Sequence, residues 1–571
     1  MRKKPISLAK LISVARGDAP ADLVLKNAKI INTFVGIIEE GSIAICGDRI
    51  AGTGNNYNQA KEIIDLKGAY VAPGLIDGHT HIESSMLHPA QYALAVVPRG
   101  TSALVTDLHE ITNVAGFEGI NFVVNWAQKL PLDMFFMAPS CVPATHMETA
   151  GAKMDASDIK KALKLPDFLG LGEMMNFPGV INGDKHVLSI INAAKGKVID
   201  GHAPGVTNKH LTSYIAAGIS SDHECTATEE GREKLRKGMY LMIREGSSAK
   251  NLDALLPLVN DKTYKRCLLV VDDSSCSDLL NDGDIDAVVR KAIQKGLDPV
   301  RAIQLATINA AEHFRLYDRG AICPGYIANL ITITNLPRLE INMVFYKGRL
   351  VAREGNPLFK PPRISATEMS DTIHVKPFNI DALSIPAKEG TFPVIEIVPG
   401  QIITKKRVER VKIKDGAIAP DIDEDILKLI VVERHKATGN IGRGLVKGFG
   451  LKRGALASSI AHDSHNIVAV GTNDQDIYSA IKEVEKMHGG LVVCSDGKIL
   501  ASLPLPVAGL LSPEPLETVA KKFEKVEKTA AGLGCLPPAP FALLSFIALP
   551  VIPELRLTDM GIVDVLEFKL I

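Results

Sequence analysis

The order of residues along this chain predicts an α/β protein built on a metal-dependent (β/α)8 TIM-like barrel, and three observations carry that prediction. Between residues 71 and 319, eight short apolar runs alternate with helix-like segments, the pattern of parallel strands joined by crossover helices. The runs end near His81, Glu110, Val142, Glu173, His202, His223, Glu245 and Asp273. Histidines and carboxylates recur at those ends, which is where barrel enzymes carry their chemistry. A doubly wound open sheet also alternates strand and helix, but ligating residues spread over so many strand ends favour a closed ring.

Ahead of the barrel, runs at 23–27, 29–32, 41–46 and 49–52 alternate with turns and read as a β-rich unit. A similar texture returns at 328–334 and 343–351. Residues 1–70 and 320–375 are therefore expected to form one discontinuous β-sandwich, split by the barrel at 71–319. Inside the barrel, 229–236 and 286–293 have helical character. Prolines 357, 361, 362, 377 and 386 loosen the chain into a linker. In the last portion, 376–571, strands at 490–494 and 498–503 and a helix at 476–486 predict a further α/β domain.

At 571 residues the chain is too long for a single core. Lysine plus arginine equals aspartate plus glutamate at 65 each, so no basic excess points to nucleic acid or an anionic membrane. The start, Met-Arg-Lys-Lys-Pro, is basic, but no apolar stretch of signal-peptide length follows it. The apolar run at 541–552 contains a proline and is too short to span a bilayer. Eight scattered cysteines with no Cys-x-x-Cys pair predict a reduced, cytoplasmic protein. They also exclude the single-zinc nucleobase deaminases, which need Pro-Cys-x-x-Cys.

Asp77-Gly-His79-Thr-His81, Asp107-Leu-His109-Glu110, Gly172-Glu173, Gly201-His202, Asp222-His223 and Asp272-Asp273 hold the chemistry. His79 and His81, two apart on a strand, point to one face and can grip one cation; Gly78 leaves room for a close backbone approach. Glu173, His202, His223 and one of the two aspartates extend the set to a metal centre. Imidazole suits zinc, iron, manganese or nickel, and carboxylates can bridge two hard ions. Each residue also has a structural reading. Glu173 could cap a helix, His202 could serve the Ala203-Pro204-Gly205 turn, Asp222 could merely bond His223, and Asp272 or Asp273 could cap the next helix. His109 and Glu110 read equally as ligands or substrate contacts and as a satisfied buried network. A divalent cation lowers the pKa of its water from roughly 15.7 to about 7, and a strand-end aspartate can carry the proton onward. Spacing alone leaves amides, cyclic ureas, phosphotriesters and amidine-like C–N bonds open as substrates.

The segment Ala-Pro-Gly-Leu-Ile-Asp-Gly-His-Thr-His at 72–81 resembles the signature of the amidohydrolase superfamily. The continuation Ile-Glu-Ser-Ser-Met-Leu at 82–87 narrows the resemblance to the adenine deaminase family. So do Asp-Leu-His-Glu-Ile-Thr-Asn-Val at 107–114, Pro-Ser-Cys-Val-Pro-Ala-Thr at 139–145 and Gly-Leu-Gly-Glu-Met-Met-Asn-Phe-Pro-Gly at 170–179. Ser-Ser-Ile-Ala-His-Asp-Ser-His-Asn-Ile at 458–467 is similar to that family's C-terminal hallmark. The resemblance implies two divalent metal ions, manganese or iron, and hydrolysis of adenine to hypoxanthine and ammonia by attack of metal-held hydroxide on C6. It implies that His79, His81 and Asp272 hold one ion, that His202 and His223 hold the other, and that Glu173 bridges them. Asp272 would shuttle a proton, and Glu83, His109 and Glu110 would orient or protonate the ring. A small purine base and a second copy of the chain, in a homodimer, are the implied partners.

Two departures from the family pattern stand out. Leu108 occupies the proline position of Asp-Pro-His-Glu, and Asp272-Asp-Ser-Ser-Cys276 replaces Asp-Asp-Arg-His-Pro. Loss of a planar five-donor arginine at the barrel mouth should change which polar edge is recognised. An N6-substituted adenine is therefore the alternative substrate; a cyclic amidase or a non-catalytic scaffold on the same fold are the remaining readings. His462-Asp-Ser-His465 could be a further metal site, but a hydrogen-bonded turn packed on the barrel or on a dimer partner is preferred. The glycine-rich stretch 439–444 lacks a phosphate-loop lysine, and 521–528 reads as a solvated helix face.

Overall fold

The computed structural model describes residues 6–247, 249–365, 367–388 and 390–571. At its centre stand eight strands: β1 (Leu75–His81), β2 (Thr101–Asp107), β3 (Asp133–Ala138), β4 (Phe168–Met174), β5 (Val198–Gly201), β6 (Ser221–Asp222), β7 (Tyr240–Arg244) and β8 (Cys267–Val270). β1 to β5 pair in parallel in chain order, and β6, β7 and β8 do the same. The Ser220 N–H donates to the Ile199 carbonyl at 3.0 Å, joining β5 to the start of β6. Asp272 and Asp273, which continue β8, pair with Thr80 and His81 and close the ring. Ile76, Val105, Met137, Met242, Leu268 and Val270, drawn from around that ring, share one apolar cluster.

Two strands stop earlier than their apolar runs suggest. β2 ends at Asp107 rather than Glu110, because Leu108 leaves the extended region (φ −92°, ψ 26°) and His109 opens the helix His109–Ala127. Glu110 in the first turn suits the positive end of that helix. β3 ends at Ala138 rather than Val142, since Pro139 has no N–H to offer a ladder.

Segments on both sides of the barrel form one nine-stranded sheet, in which Tyr70–Pro73 runs antiparallel to Leu330–Asn335. The runs at 23–27 and 29–32 are one strand, Ala21–Asn32, carrying a bulge between Leu25 and Ala28. Farther along, an eight-stranded sheet packs against the helices Asp474–Lys486 and Leu516–Gly532. The glycine-rich stretch leads into the strand Ile441–Lys447, and the charged run 521–528 lies in the second of those helices. A turn of this sheet, residues 459–466, reaches back to the mouth of the barrel. Among the described residues no helix is long and apolar enough to cross a membrane.

Candidate active site

Glu173, at the end of β4, is the hub. Its Oε1 lies 3.2 Å from His81 Nε2, and its Oε2 lies 2.6 Å from His202 Nδ1 and 3.3 Å from His223 Nε2. Asp272 Oδ1 sits 3.4 Å from Nε2 of both His79 and His81. The six side chains picked out as metal ligands thus converge. Within each of the sets His79–His81–Glu173, His79–His223–Asp272 and Glu173–His202–His223, ligand atoms lie within 4.8 Å of one another.

The donor set fits cations. His79 Nε2 and His223 Nδ1 are buried and make no hydrogen bond among the described residues. A buried polar atom left without a partner costs about 1–3 kcal/mol, a deficit that a cation beside His79 Nε2 removes. Burial alone would raise the Glu173 carboxyl, but hydrogen bonds from His202, His223 and His81 hold it well below the usual carboxylate range. Burial works against a charged His223 as well, yet Glu173 pushes that imidazole up to about 9. Negative charge and imidazole nitrogens are concentrated here in a largely buried pocket.

Local structure fixes these side chains. Asp107 Oδ2 accepts the Glu173 N–H at 2.8 Å. The Tyr214 hydroxyl accepts the His202 N–H at 2.9 Å. Asp222 does not bond His223; it accepts from the Ala203 N–H at 2.7 Å and from Lys234 Nζ at 3.0 Å. At Gly78 a Cβ would first meet side chains, Leu268 at 3.2 Å and Val270 at 3.4 Å, so side-chain packing accounts for the glycine. Of the aspartate pair, Asp272 Oδ1 lies 3.4 Å from Nε2 of both His79 and His81, while Asp273 accepts from Ser84 and keeps a carboxylate oxygen within 4.8 Å of ligand atoms of His81 and Asp272. Asp272 holds a left-handed backbone (φ 69°), a strained conformation that functional sites tolerate when their surroundings enforce it.

Beside this cluster opens a cavity lined by Glu83, Ser84, Glu110, Asp273, His462 and Phe546 among others. Burial and the neighbouring Glu110 charge push the Glu83 carboxyl up to about 7. Its Oε2 has no partner among the described residues, whereas Oε1 accepts the Ile111 N–H at 3.3 Å. Glu110 Oε1 lies 3.3 Å from His109 Nε2 and 2.7 Å from His462 Nδ1, and Oε2 bonds His465 Nε2.

Comparison with known proteins identifies the family. The amidohydrolase family model matches residues 70–351, and the adenine deaminase C-terminal domain model matches 401–569. A Dehalococcoides mccartyi protein named adenine deaminase is 60% identical over 99% of both chains. The chain belongs to the adenine deaminase family. A second relative, "Adenine deaminase 2" of Carboxydothermus hydrogenoformans, is 48% identical over 100% of this chain and 99% of its own. A third, adenine deaminase of Halalkalibacterium halodurans, is 42% identical over 99% of this chain and 98% of its own.

Sequence reasoning missed Arg244 and Glu224. Arg244 Nη1 donates to Asp272 Oδ2 at 2.8 Å, and its guanidinium also bonds both oxygens of Glu224. A signal existed: Arg244 closes β7 and Glu224 follows His223, both at strand ends. In the loop after β8, Ser275 accepts the Asp278 N–H at 3.1 Å and caps the helix Cys276–Asn281.

Proposed function

We propose that the chain hydrolyses adenine to hypoxanthine and ammonia, with His79, His81 and Asp272 holding one divalent cation, His202 and His223 a second, and Glu173 shared between them. The observation that carries this reading is the convergence of four imidazoles on two buried carboxylates beside a cavity with its own carboxyl groups. Relatives 42–60% identical and named adenine deaminase support the substrate. When bound, such cations supply Lewis acidity and lower the pKa of water to about 7. Manganese or iron suits the mixed imidazole and carboxylate donors.

The protein's own groups do the rest. Arg244 pins Asp272 Oδ2, leaving Oδ1 beside the histidines to take a proton from water and return it to departing ammonia. Glu83, its carboxyl pushed up to about 7 and so protonated in part near neutral pH, is placed to donate from Oε2 to a ring nitrogen as C6 becomes tetrahedral. Glu110 lines the cavity in which the ring is oriented, with His109 beside it. Eight free cysteines support a reducing, cytoplasmic setting. The full-length relatives disfavour an N6-substituted substrate.

Ammonia release from manganese-loaded protein, with adenine and N6-methyladenine offered separately, tests the reading. Turnover of adenine alone is expected. Turnover of the methylated base alone, or of neither, overturns it.

A further inference from the structure

Glu110 is anchored by residues that lie hundreds of positions away in sequence. His462 and His465 belong to the turn that links the strands Ala455–Ser458 and Ile467–Gly471 of the C-terminal sheet. His465 Nδ1 accepts the Ala461 N–H at 3.2 Å, so its proton sits on Nε2 and is donated to Glu110 Oε2. The backbone N–H of His462 donates to Ser545 Oγ at 3.1 Å, and its ring stacks on Phe546 with centroids 4.6 Å apart. Its Nδ1 lies 2.7 Å from Glu110 Oε1. Glu110 itself is buried at 2% exposure. With both oxygens engaged, this carboxylate has little freedom to turn.

What it holds is His109. His109 Nε2 lies 3.3 Å from Glu110 Oε1, while His109 Nδ1 lies 3.5 Å from Asp107 Oδ1 and 3.7 Å from Glu173 Oε1. The His109 and His81 rings meet edge to face at 4.8 Å. The His109 ring therefore stands between Glu110 on one side and the Asp107 and Glu173 carboxylates on the other, its Nδ1 making no hydrogen bond among the described residues.

We propose that His462 and His465 are positioning residues that fix Glu110 and, through it, the His109 ring against the Glu173 cluster, which makes the C-terminal sheet a working part of the active site. The inference rests on adenine deamination as the reaction. A third cation on Glu110, His462 and His465 is the competing use of these residues. The Ala461 N–H opposes it, because a cation on His465 Nε2 would force a proton onto Nδ1, donor against donor.

The test is a double-mutant cycle on the manganese-loaded full chain: His465→Ala, Glu110→Gln and the pair, read in kcat, KM, melting temperature and bound metal. His465→Ala should lower kcat about 10- to 100-fold with KM little changed and metal content intact. His465→Gln, which keeps an N–H near the position of Nε2, should recover part of that loss. Adding His465→Ala to Glu110→Gln should cost nothing more in kcat or in melting temperature. A kcat within twofold of wild type, losses that multiply, or one ion fewer per chain in His465→Ala each overturn the proposal. If His465→Ala does not fold, His462→Ala, at a partly exposed ring, takes its place in the cycle. A wild-type protein inert on adenine refutes the reaction, while the melting-temperature cycle still decides whether Glu110 and His465 are coupled.

Discussion

Gly172 lies so close to Asp107 that a Cβ at residue 172 would sit 1.8 Å from the Asp107 Oδ2. That oxygen accepts the N–H of Glu173. Absence of a side chain at one position thus sets the height of the hub carboxylate at the next.

Gly172→Ala must therefore push Asp107 aside and tilt Glu173. We expect kcat/KM for adenine to fall at least 100-fold, alongside a stability loss of about 1–3 kcal/mol from overpacking. Steady-state kinetics and thermal melts check both. Near-wild-type kinetics would mean the Asp107 contact is dispensable.

Glu173→Gln removes the negative charge shared among His81, His202 and His223. Bound metal should drop by one or more ions per chain and activity by about 1,000-fold or more. Elemental analysis of dialysed protein reads the first quantity. Unchanged metal content would remove Glu173 from the ligand set.

Arg244 bridges Asp272 and Glu224 with one planar group. Lysine carries a single ammonium and cannot reproduce that fork. Arg244→Lys should lower kcat about 10- to 100-fold while leaving metal content in place. Equal kinetics in the two proteins would show that Asp272 holds its place without the guanidinium.

Glu148, which is not among the candidate metal ligands, provides a pH signature of stability. Burial first, then the Asp463 charge, push its carboxyl from an ordinary 4.5 up to about 8. Below pH 4.5 the folded and unfolded chains are both protonated there, and the group costs nothing. Between 4.5 and about 8 only the unfolded chain ionises, so stability falls as pH rises through that window, by roughly 4–5 kcal/mol in all. Glu148→Gln, which keeps the oxygen that accepts the Thr145 N–H at 2.9 Å, should gain melting temperature relative to wild type at pH 8 compared with pH 5. A constant difference across pH would show that Glu148 titrates normally.

The barrel and its polar strand ends were legible in the sequence because both are local. Strand period and turn residues mark each element, and a short run such as His79-Thr-His81 fixes two side chains on one face whatever surrounds it. The continuity of Ala21–Asn32 across its bulge was not legible, since a single unpaired residue resembles a turn. Nor was the stop of β2 at Asp107, because Leu108 reads as one more apolar strand residue.

Only the tertiary structure decided which aspartate carboxylate lies between His79 and His81, which arginine bonds it and that the last sheet brings His465 onto Glu110. Those answers depend on pairs far apart in the chain. Arg244 and Asp272 are 28 positions apart, and Glu110 and His465 are 355. No local pattern encodes such distances; they are set when the apolar faces of sheet and barrel pack and carry their polar turns into contact.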